Sequence, residues 1–313
     1  MIFQYKKLPA ILGVLAAFAI ATLSALAQQP LTNTVAVTTV VSVEARHGKD
    51  IPAINREDVR VLSGHNRLPV RDWIPLQGEQ AGLELFVLVD EATGVDVAIQ
   101  FDDVRRFLDA QPPTTAVAIG YISNGGVQIV QNFSNDHAAA GKTLRIPLGN
   151  IAGGNSPYLS VSDAIKRWPT GNSNRRAILL VSDGMDPLQP GISDSYLDTA
   201  IEQAQRTGTQ IYAIYASGSG HFGHTFWRIN TGQSNLSRLA DETGGEAYIQ
   251  GFQTAVAFAP YLDEFASRLA HQYKLTFLAG AGAKPSYQHV RLETEVPNAE
   301  LVTANKVYVP AAK

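Results

Sequence analysis

The chain has 313 residues, 45% of them hydrophobic and 17% charged, a balance that supports a packed core and excludes the disordered and collagen-like classes. Lysine and arginine number 25 against 28 aspartates and glutamates, and no basic cluster exceeds the pairs Arg105-Arg106 and Arg175-Arg176, so nucleic-acid binding has no electrostatic basis. Cysteine does not occur, which excludes disulfides, thiolate metal sites and cysteine lipidation.

Residues 1–27 read as an export signal. Lys6 and Lys7 precede an apolar run over 9–26, and Ala25-Leu26-Ala27 before Gln28 is a small-x-small cleavage pattern. Retention as an uncleaved anchor is the alternative, because the run is near bilayer-spanning length. Either way the body is expected outside the cytosol, secreted or in the periplasm or envelope. No later run reaches spanning length.

Residues 28–80 form the next expected unit. A β-branched run over 34–44 reads as a strand, a second strand is expected over 59–62 and a third over 70–74. Between 81 and 272 the pattern changes to apolar strands alternating with amphipathic helices, the mark of a parallel sheet covered on both faces. Strand 83–89 ends at Asp90. A helix follows over 95–108, with Val95, Ile99, Val104, Phe107 and Leu108 as its expected inner stripe. Strands 116–122 and 127–133 flank Ser123-Asn124-Gly125-Gly126, a hairpin connection that implies one antiparallel edge strand.

A helix over 158–168 stops at Pro169 and Gly171, and strand 177–181 delivers Ser182-Asp183-Gly184 at its carboxyl end. Helix 193–206, strand 210–216, a short helix over 236–242, strand 246–249 and helix 255–271 complete the series. The strand-plus-helix period recurs about five times, as in doubly wound α/β folds. The tail over 273–313 shows strand patterns at 273–278, 287–293 and 299–309, expected to pair with the N-terminal strands in a small accessory β-unit.

Two segments carry a family resemblance: Leu85-Phe86-Val87-Leu88-Val89-Asp90-Glu91-Ala92-Thr93-Gly94 and Ala177-Ile178-Leu179-Leu180-Val181-Ser182-Asp183-Gly184-Met185-Asp186. They resemble the first and fourth strands of von Willebrand factor A (VWA) domains, and Ser156 to Ile165 and the Thr243-Gly244-Gly245 region resemble further landmarks. The flanking strands, including Tyr273-Lys274-Leu275, are similar to the secreted bacterial subgroup. The resemblance implies a doubly wound, Rossmann-like, mostly parallel sheet. It also implies a magnesium or calcium site built from an Asp-x-Ser-x-Ser motif, a threonine and a second aspartate. Here those positions fall on Asp90, Ala92, Gly94, Leu159 and Asp183, so three of the five lack a side-chain oxygen. Such an ion needs several hard oxygen ligands. The resemblance therefore implies a degenerate site and no cofactor; the alternative is a cation on Asp90 and Asp183 with water, Thr93, Ser156 or Ser160 completing the shell.

Gly218-Ser219-Gly220-His221-Phe222-Gly223 formally matches a dinucleotide fingerprint, but that motif needs a helix opening within it to meet the pyrophosphate. Residues 224–232 show no helical stripe, so nucleotide binding is not expected. His221 and His224 could ligate zinc but lack a third ligand. Phe222, Phe226 and Trp227 either anchor a partner or pack onto the domain. No nucleophile elbow or zinc-protease motif occurs and no catalytic activity is expected; a secreted enzyme, hydrolytic or nucleotide-dependent, whose groups meet only in space is the last alternative. The expected role is binding a protein or envelope ligand through loops at the carboxyl ends of the strands, at Asp90, Glu91, Thr93, Ser156, Asp183, Asp186, His221, Phe222, His224 and Trp227.

Overall fold

The computed structural model describes residues 33–149, 155–170, 175–190, 194–219 and 225–312. Residues 1–27, expected to be an export signal, and His221, Phe222 and His224 lie outside them. The first elements are strands: β1 (Thr34–Ala45), β2 (Arg60–Ser63), β3 (Asn66–Leu68) and β4 (Val70–Pro75). They are followed by β5 (Leu83–Asp90), whose eight residues are all buried. Burial on both faces explains why β5 reads as a continuous apolar run rather than an alternating one.

A 3-10 segment, Val95–Gln100, runs into α1 (Phe101–Asp109), and the hairpin of β6 (Thr115–Ser123) and β7 (Gly126–Ser134) turns at the positive-φ Asn124 and Gly125. Then come α2 (His137–Lys142), α3 (Pro157–Lys166), β8 (Arg175–Ser182), α4 (Ser195–Thr207), β9 (Thr209–Tyr215) and α5 (Phe226–Thr243). The chain finishes with β10 (Ala247–Tyr248), α6 (Ala259–Ala270), β11 (Gln272–Gly280), β12 (Ser286–His289), β13 (Arg291–Glu293), β14 (Ala299–Val302) and β15 (Lys306–Val309).

The central sheet has the order β10-β9-β8-β5-β6-β7, parallel except for the antiparallel edge strand β7. This is the doubly wound class expected. Leu85, Val87 and Val89 pack with α1 and α6 on one face, and Phe86 and Leu88 pack with α3, α4 and α5 on the other. From β5 the chain moves first to β6 on one side and later to β8 on the other, so the switch point lies between the carboxyl ends of β5 and β8. Ligand crevices of open α/β sheets form at such points.

The flanks pair with each other as expected. β1 lies between β11 and β14, and β4 extends the same sheet beyond β11. The two later strands expected in the tail each divide in two. Within 287–293, β12 pairs with β15 while β13 pairs with β2, and Val290 between them buries its side chain. Within 299–309, residues Thr303 and Ala304 bend around Gly244, where an added Cβ would come within 2.5 Å of the Ala304 nitrogen.

Several helices differ from expectation: α2 lies in a stretch assigned no element, and α6 begins at Ala259 rather than at 255. Val95 and Ile99 are 63% and 76% exposed, and the inner stripe is Val97, Phe101, Val104, Phe107 and Leu108, so the expectation holds within α1 and fails ahead of it. The 3-10 segment has three residues per turn, which shifts the phase of the residues before α1. The short helix over 236–242 is in fact α5, eighteen residues from Phe226. Its buried stripe includes Ile229, Gly232, Leu236 and Leu239. Gly232 hid the periodicity, yet it lies on the inner face because any Cβ there would meet the Asp183 carbonyl at 2.3 Å.

Candidate functional site

Parallel pairing of β5 with β8 places Asp90 beside Ser182 at the switch point. Asp90 Oδ2 accepts a hydrogen bond from Ser182 Oγ at 2.7 Å, and Oδ1 accepts one from the Ala92 amide at 2.9 Å. Asp183 Oδ1 accepts from the Met185 amide at 2.9 Å. Both carboxylates are buried, and among the described residues no cation pairs with either. Burial pushes Asp90 up to about 6 and Asp183 up to about 8, with the Asp90 charge adding to burial at Asp183.

A strap closes over these acids. The chain leaving β9 crosses the end of β8 and joins the loop after β5. The Gly94 amide donates to the Ser217 carbonyl at 2.9 Å, the Ser219 amide donates to the Ala92 carbonyl at 2.8 Å, and Thr93 bridges to Gly218. Gly218 passes so close above Asp183 that a Cβ on it would come within 2.2 Å of Oδ2. This assigns the glycine of the formal dinucleotide match to the carboxylate beneath it. The expectation of no helix over 224–232 is corrected, since α5 opens at Phe226, but that start lies beyond Gly223 and not within the motif. Gly218 is itself packed against the Asp183 carboxyl, which takes the place a pyrophosphate would need.

The hydroxyls named above to complete a cation shell are engaged elsewhere. Thr93 Oγ1 donates to the Asp90 carbonyl at 2.7 Å. Ser156 caps α3, accepting from the Leu159 amide at 3.2 Å, and its hydroxyl donates to Asp186. Ser160 Oγ donates to the Gly126 carbonyl at 3.0 Å. Ala92, Gly94 and Leu159 supply no side-chain oxygen, so these residues do not fit a hard, octahedral ion such as magnesium. Among the described residues, no group of three or more histidines and carboxylates is placed to hold a metal.

The remaining sequence-derived residues divide by exposure. Glu91, Thr93, Ser156 and Asp186 are buried and bonded within the molecule. Asp186 Oδ1 accepts from the Leu188 amide at 2.8 Å. Glu91 accepts from the Leu148 amide at 2.6 Å and pairs with Arg145, whose guanidinium lies 4.0 Å over the Tyr121 ring. This clasp holds the segment after α2 against the site, and nothing in the spacing of Arg145 announced it.

Trp227, in contrast, is 80% exposed, beside the exposed Phe226. Among the described residues the exposed large hydrophobics are Val95, Ile99, Ile146, Leu148, Leu188, Phe226, Trp227, Phe252, Val256 and Tyr287. All but Tyr287 lie in the loops and helix starts around the carboxyl edge of the sheet. The pattern was not legible in sequence because its residues come in ones and twos from separate loops.

No family model and no curated protein matches the chain. Solved structures similar to it include a von Willebrand factor type A protein from Catenulispora acidiphila, 10% identical, covering 91% of this chain and 76% of that one with a TM-score of 0.44. Proximal thread matrix protein 1 from the mussel byssus, solved with a zinc-occupied MIDAS motif, is 12% identical over 64% of this chain and 48% of that one, TM-score 0.45. BatB from Bacteroides thetaiotaomicron is 12% identical over 60% and 99%, TM-score 0.43. The fold assignment stands on the strand order described above. No helix among the described residues is long and apolar enough to cross a membrane.

Proposed function

We propose that this chain is an exported, non-catalytic binding domain of the VWA kind, and that it grips a protein partner of the cell envelope through the apolar rim at the carboxyl edge of its sheet. The observation that carries this reading is the concentration of exposed large hydrophobics on that one edge, headed by Trp227 and Phe226. Scattered exposed apolar residues are ordinary, whereas a rim of them around one crevice marks an interaction surface, and aromatic residues dominate the energetics of such surfaces. Asp90 and Asp183 then act from beneath, by shaping the strap, and no cation is required.

The test compares the chain with a Phe226→Ser/Trp227→Ser variant in capture from envelope extract. The native chain should retain a partner that the variant loses, with the unfolding temperature of the two unchanged. Equal recovery by both would remove the reading. Calorimetry with magnesium, calcium and manganese should show no binding heat; a stoichiometric heat abolished by Asp183→Asn would restore the metal-dependent alternative.

A further inference from the structure

Between the loops that follow β5, β9 and β10 lies a cleft of about 450 Å³, lined chiefly by Asp96, Ser217, Phe226, Ile229, Phe252 and Thr254. Phe226 and Phe252 meet edge to face with ring centroids 5.7 Å apart, and both remain about half exposed. The Ser217 and Thr254 hydroxyls lie 3.0 Å apart in a mutual hydrogen bond. Asp96 is exposed, and its Oδ1 lies over Gly94, where a Cβ would approach within 2.3 Å. The bare glycine therefore makes room for the carboxylate. Among the described residues nothing donates to Asp96 and no cation pairs with it.

Resting on the binding reading above, we propose that this cleft receives a long cationic side chain of the protein partner, arginine in preference to lysine. An apolar stem needs apolar walls, which Ile229 and the two phenylalanines supply. The cationic head needs a carboxylate without a prior partner, which Asp96 supplies, and aromatic faces attract it further. A planar guanidinium can lie along a ring while donating to a carboxylate and a hydroxyl together, whereas an ammonium is a point charge. An acidic side chain would face Asp96 directly and is disfavoured.

The experiment titrates the full chain with N-acetyl-arginine methylamide and with its neutral isostere N-acetyl-citrulline methylamide, following the resonances of Phe226, Ile229 and Phe252 by NMR. The arginine probe should shift these resonances in preference to others. The citrulline probe should bind at least about tenfold more weakly, the worth of one hydrogen bond to a charged group. Asp96→Asn should remove the difference between the probes while leaving the unfolding temperature unchanged, and Phe252→Leu should weaken both. Equal binding of the two probes, shifts away from the cleft, or no shift at all would overturn the proposal. Arginine binding without partner capture would instead leave the cleft assigned and remove the rim reading; partner capture without arginine binding would do the reverse.

Discussion

Glu84 and Asp90 stand near opposite ends of β5, each 1% exposed, and their surroundings differ in kind. Glu84 accepts from the Trp168 indole at 2.6 Å and faces Arg176 at 3.5 Å, so the buried charge at the amino end is neutralised. At the carboxyl end Asp90 and Asp183 have hydroxyl and amide donors but, among the described residues, no cation. A buried charge that is paired serves the fold; two that are left unpaired, on the edge where crevices form, weaken it. Among the described residues the exposed phenylalanines and tryptophan also lie at the carboxyl end. Stability is concentrated at one end of the sheet and given up at the other, where the proposed binding surface lies.

The largest effect should come from breaking the paired end. Glu84→Ala strands Arg176 and the Trp168 donor and should cost about 3 kcal/mol in denaturant unfolding, the scale for removing one partner of a buried ion pair. Replacement without loss of stability would erase the contrast between the two ends. Next comes the strap: Gly218→Val forces a side chain against Asp183 and should cost about 2 kcal/mol, as overpacking does. Adding Asp183→Ala should recover about half of that loss, since residues in contact are coupled in double-mutant cycles.

The unpaired acids predict a pH dependence of definite sign. With Asp183 raised from 3.8 to about 8, the folded chain keeps a proton that the unfolded chain has released through the interval between those values. The contribution of Asp183 to stability is therefore greatest below about pH 4 and falls as the pH rises toward about 8. Asp183→Asn keeps the carbonyl that accepts from Met185, removes the charge, and should raise stability at pH 8 by about 1–2 kcal/mol while flattening the curve. A curve unchanged by the substitution would show that Asp183 is ionised without penalty. The smallest effect should be that of Trp227→Ala, which should alter stability by less than about 0.5 kcal/mol while abolishing partner capture.

Much of the sheet was legible because its signals are local. β5 is an apolar run broken only by Glu84 and ending at Asp90, β8 carries the apolar run 177–181 just ahead of Asp183, and β6 and β7 flank a turn whose asparagine and glycine accept positive φ. The beginning of α5 was not legible. Gly232 looks like a helix breaker until the close passage of Asp183 and Gly184 beneath it is known. The candidate site was half legible: the two acids were marked by their strands, whereas the Arg145–Glu91 clasp joins residues far apart in the chain, and the rim gathers single side chains from separate loops.

Sequence alone determined the alternation of strands and helices, the antiparallel edge and the presence of two acids at strand ends. These follow from side-chain periodicity and turn chemistry within a few residues. Tertiary structure decided that the acids lie under a strap, that Thr93, Ser156 and Ser160 are bonded elsewhere, and that the apolar residues of separate loops form one rim. Burial and hydrogen-bond pairing depend on which segments meet in space, and no local pattern encodes that meeting.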